Sequence, residues 1–162
     1  MTVVPDSIMA TMNTHQVEYI LLGGMNFLLR HQPVLTYDVD VWIQDTPENR
    51  MRCEQALIAM EAEWGKTDTD WGPVSRFQPG WLELQGVFAC ATKYGALDIF
   101  RKVKGLDSWE CCRSRAEVCS TASGTAFQSL CDADMLACQY ALEESLRKMD
   151  RVRYLEGLNH DG

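Results

Sequence analysis

The chain has 162 residues, 46% of them hydrophobic and 23% charged, and its formal net charge is −8. This composition predicts one globular domain and argues against the general basic face with which proteins bind DNA or anionic membranes, so we expect no extended nucleic-acid surface and no membrane partner. The first residues lack the basic and then apolar pattern of a secretory signal, and no apolar run approaches the length of a membrane span, which favours a cytoplasmic protein.

The cysteines form no Cys-x-x-Cys pair, and their number is odd. The seven are Cys53, Cys90, Cys111, Cys112, Cys119, Cys131 and Cys138. A disulfide framework or a zinc ribbon needs paired cysteines, so we expect reduced thiols, several of them in the core. The adjacent Cys111 and Cys112 leave a redox or metal site open.

Apolar spacing and breaker residues divide the first part of the chain into helices and strands. The predicted elements are a helix over about 6–16, a strand over 17–22, a helix over 25–31, a strand over 37–43 and a helix over about 47–64. Pro5 and Pro47 suit the first positions of two helices, and Thr46 suits the N-cap of the second of these. Gly23 and Gly24 separate the first strand from the helix that follows it.

The rest of the chain is predicted as a loop followed by strands and helices. Its parts are a loop over 65–81, three strands within 82–103 with a turn at Tyr94 and Gly95, a helix over about 108–117, a strand over 118–120, and helical sequence over 132–158 that is either two helices or one with a break near Arg147. We expect the tryptophans of the loop region, Trp64, Trp71 and Trp81, to pack in the core or a lid rather than to stack on a base.

Together these elements predict an α+β (mixed α/β) fold. We expect a small mixed β-sheet flanked by helices over residues 1–130, and C-terminal helices over residues 131–162 that pack on this core as part of a single compact unit.

Two aspartates interrupt an otherwise apolar strand, in Asp-Val-Asp-Val at residues 38–41. Side chains alternate along a strand, so Asp38 and Asp40 point to the same face, about 7 Å apart. Such carboxylates repel each other unless a positive group lies between them, and oxygen ligands alone select Mg²⁺ or Mn²⁺ over zinc. Asp98 lies in a similar apolar stretch. Three carboxylates on neighbouring strands are typical of metal-dependent phosphoryl or nucleotidyl transfer.

The glycines before the second helix indicate a place for phosphate groups. A strand that runs into Gly23 and Gly24 and then a helix presents backbone N–H groups at a helix N-terminus, which favours anions. Without β-carbons, the two glycines let a phosphate approach the backbone closely. The chain contains neither Gly-x-Gly-x-x-Gly nor a P-loop motif, so the sequence predicts neither a dinucleotide-binding fold nor a P-loop fold.

These residues and their spacing resemble the signature of the DNA polymerase beta nucleotidyltransferase superfamily. Gly23-Gly24 is followed after thirteen residues by Asp38-Val39-Asp40, with Thr36 just before that strand. More narrowly, the chain is similar to small bacterial nucleotidyltransferase-like proteins of the abortive-infection toxin type. In those proteins a Gly-x-Leu-Asp strand and a Lys-Gly turn follow, as in Gly95–Phe100 and Lys104-Gly105 here. The similarity continues in order through residues 18–158, including Lys148, Asp150 and Leu155 near the end.

The resemblance implies a nucleotidyltransferase fold and an enzyme that uses Mg²⁺ or Mn²⁺ to move a nucleoside monophosphate from a nucleoside triphosphate to a hydroxyl acceptor. The acceptor would be a protein, a tRNA end or a small molecule. By resemblance, the metal-binding and catalytic residues are Asp38, Asp40 and Asp98, and the residues that bind the nucleotide are Gly23, Gly24, Asn26 and Thr36.

The chain departs from these relatives at two basic positions, where it has Val34 and Gln139. The charged residues that can take their place electrostatically are Arg30, His31, Arg101, Lys102, Arg147 and Lys148. The departures leave open a catalytically silent member of the fold that binds a nucleotide or a protein partner, for instance in a toxin–antitoxin pair. A third reading is a bare cation site in an unrelated α/β protein.

Overall fold

The structure is a computed structural model that describes residues 2–161, and the side chains of residues 2–158. Its helices are α1 Pro5–Thr14, α2 Gly23–Arg30, α3 Pro47–Ala59, α4 Trp109–Arg115, α5 Asp132–Tyr140 and α6 Met149–Asp161. Its strands are β1 Tyr19–Leu22, β2 Asp38–Ile43, β3 Glu63–Trp64, β4 Gly72–Pro73, β5 Val87–Thr92, β6 Gly95–Phe100, β7 Glu117–Ser120 and β8 Ala126–Ser129. The predicted α+β class is confirmed.

One mixed sheet holds all eight of these strands, in the order β4-β3-β5-β6-β2-β1-β8-β7. The strand β2 lies near its middle, antiparallel to β1 and parallel to β6. The strand β6 in turn pairs with β5 as an antiparallel hairpin, with Thr92 opposite Gly95 at the turn. Strands that are distant in sequence therefore meet at the centre of the sheet.

The sheet is packed differently on its two faces. One apolar cluster combines alternate residues of the central strands, such as Val41 and Ile99, with residues of α1 and α3. A second cluster holds the other alternate residues, such as Ile20 and Trp42, with residues of α4, α5 and α6 such as Val152. The C-terminal helices thus cover the second face only where β1 and β2 lie, because Val87, Ala89 and the other outward side chains of β5 are exposed.

The third helix is shorter than predicted. As expected, the Thr46 side chain caps it by accepting a hydrogen bond from the Asn49 N–H at 3.3 Å. It ends at Ala59, however, and not near residue 64, because Glu61 adopts a left-handed backbone with φ of 54°. The residues that were expected to finish the helix form β3 instead, where Glu63 pairs with Ala91 of β5.

The prediction of three strands within 82–103 is also wrong, because only β5 and β6 form there. Residues 81–83 make a short 3₁₀ turn instead of a strand, and a side chain holds this turn in place. The buried Glu54 carboxylate accepts hydrogen bonds from Gly80 N–H at 2.9 Å and from Leu82 N–H at 3.2 Å. Conversely, β8 was not predicted, although it joins the sheet parallel to β1.

The tryptophan prediction is confirmed for two of the three residues. Trp64 and Trp81 are buried and stack with ring centroids 5.6 Å apart, and Phe77 and Phe88 pack edge-on around them. Trp71 is 43% exposed and donates a hydrogen bond to Glu63 at 2.8 Å. The first two rings therefore serve the core, as large apolar surfaces generally do.

Several of the thiols lie in the core, as predicted. All seven cysteines are free, and Cys53, Cys90 and Cys112 are buried. Within the described part of the chain, neither Cys111 nor Cys112 belongs to a group of three metal-binding side chains. None of the described helices is long and apolar enough to cross a membrane.

Candidate functional site

Three aspartates meet on the second face of the sheet. The parallel pairing of β2 with β6 puts Asp40 directly opposite Asp98, and Asp38 lies one full strand repeat before Asp40 on the same face. One carboxylate oxygen from each of the three lies within 4.8 Å of the others. The three carboxylates that the sequence predicted on neighbouring strands therefore form one cluster, and such a cluster can hold a metal ion.

The cluster concentrates negative charge in a partly buried place. Burial, together with the neighbouring charges of Asp38 and Asp98, raises the pKa of Asp40 to about 8. Burial and the proximity of Asp38 raise the pKa of Asp98 to about 6. Both shifts mean that the folded protein resists the full ionisation of the triad when no cation balances it.

The chemistry of the donors fits a divalent cation that prefers oxygen. Asp40 Oδ1 is buried and has no hydrogen-bond partner among the described residues, although a buried carboxylate oxygen normally has one. A metal ion would satisfy this oxygen and neutralise the repulsion among the three acids at the same time. The three ligands are carboxylates only, which suits Mg²⁺ or Mn²⁺ better than a softer metal.

Gly23 lies against the triad. Its φ of +70° belongs to the left-handed region, and a β-carbon added at this position would lie 2.5 Å from Asp40 Oδ2. Glycine is therefore required both by the backbone and by the carboxylate beside it. The helix α2 begins at Gly23, and no side chain caps its N-terminus. Because no side chain caps α2, the N–H groups of its first turn have no side-chain partner beside the carboxylates.

Gly24 lies against a positive charge. A β-carbon on Gly24 would be 2.9 Å from Nη2 of Arg151 and 3.0 Å from Oγ1 of Thr36. Thr36 also donates a hydrogen bond to the Asp38 carbonyl oxygen at 3.4 Å. Gly23 thus borders the carboxylates, and Gly24 and Thr36 lie next to each other and to Arg151.

Asn26 is the exception among the predicted nucleotide-binding residues. It is fully buried on the inner side of α2. Its amide donates to the Leu130 carbonyl oxygen at 3.1 Å, and its carbonyl oxygen accepts from the Ser129 hydroxyl at 2.5 Å. Because these hydrogen bonds tie α2 to the end of β8, they favour a structural role for the Asn26 side chain over the predicted binding of a nucleotide.

Arg151 is the site residue that sequence reasoning missed. It projects from α6 onto Gly24, is partly buried, and makes no ion pair within 4.0 Å among the residues described. Burial lowers its pKa, and the opposite charge of Asp40 works against that decrease. A signal was present in the sequence, because Arg151 precedes the buried Leu155 by four residues and so falls in the apolar stripe of the helix.

The basic residues proposed from the sequence are engaged elsewhere or exposed. Three of them form ion pairs: Arg30 with Glu117 and Asp132, His31 with Asp132, and Arg101 with Asp45. Arg147 donates hydrogen bonds to the carbonyl oxygens of Tyr140 and Leu142. Lys102 and Lys148 are exposed. Gln139 lines a small cavity of about 40 Å³ together with Gly23 and Arg151. Arg151 of α6 and Gln139 of α5 therefore lie beside the same cavity.

An open strip of sheet borders the triad on its other side. Ala89 of β5 lies opposite Asp98, and Ala96 of β6 lies opposite both Asp38 and Ala91. Residues paired in this way share a face of the sheet, and the three alanines are exposed. A molecule of moderate size can therefore approach Asp38 and Asp98 across a flat surface of small side chains.

A larger cavity lies elsewhere. Its volume is about 550 Å³, and it is lined by Trp64, Phe77 and Trp81 among others. Those rings belong to the apolar cluster of the first face, whereas the triad occupies the second. The cavity is therefore separate from the carboxylates.

No protein-family model matches the chain, and no curated protein matches it.

Proposed function

We propose that the chain is a nucleotidyltransferase that depends on a divalent cation, Mg²⁺ or Mn²⁺, and moves a nucleoside monophosphate from a nucleoside triphosphate to a hydroxyl acceptor. We also propose that it belongs to the DNA polymerase beta-like superfamily, in the group that resembles abortive-infection toxins. The observation that carries both proposals is the cluster of three aspartate oxygens within 4.8 Å, with Gly23 at an uncapped helix start against it.

The proposed roles follow the positions of the side chains. Asp38 and Asp40 hold the cation, and Asp98 completes the ligand set. A bound divalent cation in such a site neutralises phosphate charge and stabilises the pyrophosphate that leaves. The N–H groups at Gly23 and Gly24 and the charge of Arg151 bind the phosphates of the nucleotide.

The transfer itself needs a base that takes the proton of the acceptor hydroxyl, and it releases pyrophosphate as the leaving group. The acceptor oxygen forms a bond to the α-phosphorus, and the bond from that phosphorus to the bridging oxygen of the β-phosphate breaks, which releases pyrophosphate. The hydroxyl proton passes to the carboxylate of Asp98, which faces the open alanine strip. The substrate class of the acceptor is a hydroxyl of a protein, a tRNA end or a small molecule that fits this strip.

A transfer assay tests the proposal. The purified protein is incubated with Mg²⁺ and each labelled nucleoside triphosphate, with candidate acceptors or with cell lysate, and compared with Asp38→Asn and Asp98→Asn. The matched control is Asp68→Asn, which changes an exposed aspartate of the loop after β3. We expect transfer by the wild type and the control and a loss of at least about 100-fold in both site variants. Transfer that survives both substitutions would exclude the proposed site, and Mg²⁺-dependent nucleotide binding without transfer would favour the silent member of the fold.

A further inference from the structure

Two consecutive glycines separate two opposite charges in this site. Gly23 lies against the Asp40 carboxylate, and Gly24 lies against the Arg151 guanidinium. The two charged groups attract each other, yet among the described residues Arg151 forms no ion pair within 4.0 Å with Asp40 or any other carboxylate. Arg151 is therefore held near the triad without being bound to it.

We propose that Arg151 is the exchangeable counter-ion of this site: it balances the negative charge of the aspartate triad while no metal is bound, and it pairs with a nucleotide phosphate once a metal has taken its place. The second half rests on the proposed function, whereas the first half concerns the metal-free protein alone.

The first half follows from charge and burial. Three clustered carboxylates in a partly buried place need positive charge, and Arg151, which lies against Gly24, is a cation whose charge acts on Asp40. Its positive field must oppose the entry of a divalent cation, because like charges within several ångströms repel at the low effective dielectric of such a site. Removal of the arginine charge should therefore tighten the binding of a metal on its own.

The second half follows from the position of Arg151 over the start of α2. The guanidinium lies where a phosphate would meet the free N–H groups of the helix, and it carries donors that are not used in hydrogen bonds to other described residues. Once a metal neutralises Asp40, the arginine loses its attraction to that carboxylate and is free to bind phosphate oxygens, for which its planar group is suited. Removal of the same charge should therefore weaken phosphate binding.

The proposal thus predicts opposite effects of one substitution on two ligands. The variant Arg151→Met keeps the apolar stem of the side chain and removes its charge. The matched control is Arg153→Met, because Arg153 is exposed on the same helix and its ion pair, at 3.7 Å, is with the exposed Asp150. Arg151→Lys keeps a positive charge at the site and tests rescue.

The measurements use probes that need no knowledge of the base or the acceptor. Binding of Mn²⁺ alone is measured by the spin-resonance signal of the free ion, with Asp38→Asn to identify the binding that belongs to the triad. Binding of inorganic tripolyphosphate is measured by calorimetry in saturating Mn²⁺. Circular dichroism and thermal unfolding verify that each variant is folded.

We expect Arg151→Met to bind Mn²⁺ roughly fivefold more tightly than the wild type and to bind tripolyphosphate roughly tenfold more weakly. Arg153→Met should match the wild type in both, and Arg151→Lys should lie between. Mn²⁺ affinity that is unchanged or lower in Arg151→Met overturns the counter-ion role, and unchanged tripolyphosphate affinity overturns the exchange. If the wild type binds Mn²⁺ but neither tripolyphosphate nor any nucleoside triphosphate, the proposed function fails together with the exchange, while the Mn²⁺ result still decides the counter-ion role.

Discussion

Gly23 and Asp40 are in such close contact that only a residue without a side chain fits: a β-carbon on Gly23 would lie 2.5 Å from Asp40 Oδ2. The glycine therefore shapes the triad as well as the helix start. The contact joins the start of α2, with its N–H groups, to β2, which carries Asp38 and Asp40. A change in the position of either element must therefore disturb the other.

The first prediction concerns this contact. Gly23→Ala should destabilise the protein by about 1–2 kcal/mol because of its left-handed backbone, and should also lower Mn²⁺ affinity because the new methyl group displaces Asp40. Gly124→Ala is the matched control, since Gly124 has a φ of +88° and nothing within 4 Å of the added carbon. Urea unfolding and Mn²⁺ titration of both variants would check this. Equal Mn²⁺ affinities in the two variants would contradict the proposed displacement.

The second prediction concerns the pH dependence of stability. The pKa of Asp40 is raised to about 8 in the folded chain, so the carboxyl group contributes stability that is complete below its unfolded pKa of about 4 and is lost as the pH rises to about 8. Asn cannot ionise. Asp40→Asn should therefore be more stable than the wild type at pH 9, by about 1–3 kcal/mol, and similar to it near pH 4.

Urea unfolding in EDTA at pH 4 and pH 9 measures this difference, with Asp68→Asn as the control. Saturating Mg²⁺ at pH 8 should stabilise the wild type and leave Asp40→Asn nearly unchanged, because the ion then replaces the missing proton. If Asp40→Asn proved less stable than the wild type at pH 9, the repulsion inferred within the triad would be refuted.

The third prediction distinguishes the place where the acceptor binds from the place where the nucleotide phosphates bind. Ala96 is exposed beside Asp38 and Asp98 on the open strip, so Ala96→Phe should reduce nucleotidyl transfer by at least about tenfold by filling the space of the acceptor. Tripolyphosphate affinity should remain within about twofold, since Gly24 and Arg151 lie on the other side of β2. The control is Ala126→Phe, at an exposed alanine of β8. Equal losses of transfer and of tripolyphosphate binding would argue against an acceptor on the strip.

The fourth prediction tests the structural role of Asn26. Its buried side chain links α2 to Ser129 and Leu130, so Asn26→Ala should lower the free energy of unfolding by about 1–3 kcal/mol. Ser129→Ala should lower it as well, and the double variant should lose less than the sum of the two, because the residues share one hydrogen bond. Additive losses would show that the bond contributes little. Tripolyphosphate affinity of the folded variant should stay at the wild-type value.

Local sequence was sufficient for most elements near the site. The break at Gly23 and Gly24 and the alternation in Asp38-Val39-Asp40 were readable because φ preferences and the two-residue repeat of a strand act over a few residues. The cap at Thr46 was predicted correctly for the same reason. The end of α3 was not, because the left-handed Glu61 and the pairing of Glu63 with Ala91 depend on the neighbouring strand.

The sequence by itself determined which side chains are acidic, which residues lack a β-carbon, and that Asp38 and Asp40 share a face. Only the tertiary structure decided that Asp98 lies opposite Asp40, that Asn26 faces the interior, and that Arg151 reaches Gly24. The register of β2 against β6 and the docking of α6 arise from packing between segments distant in the chain, and the alternation within any one segment carries no information about which neighbour it will meet.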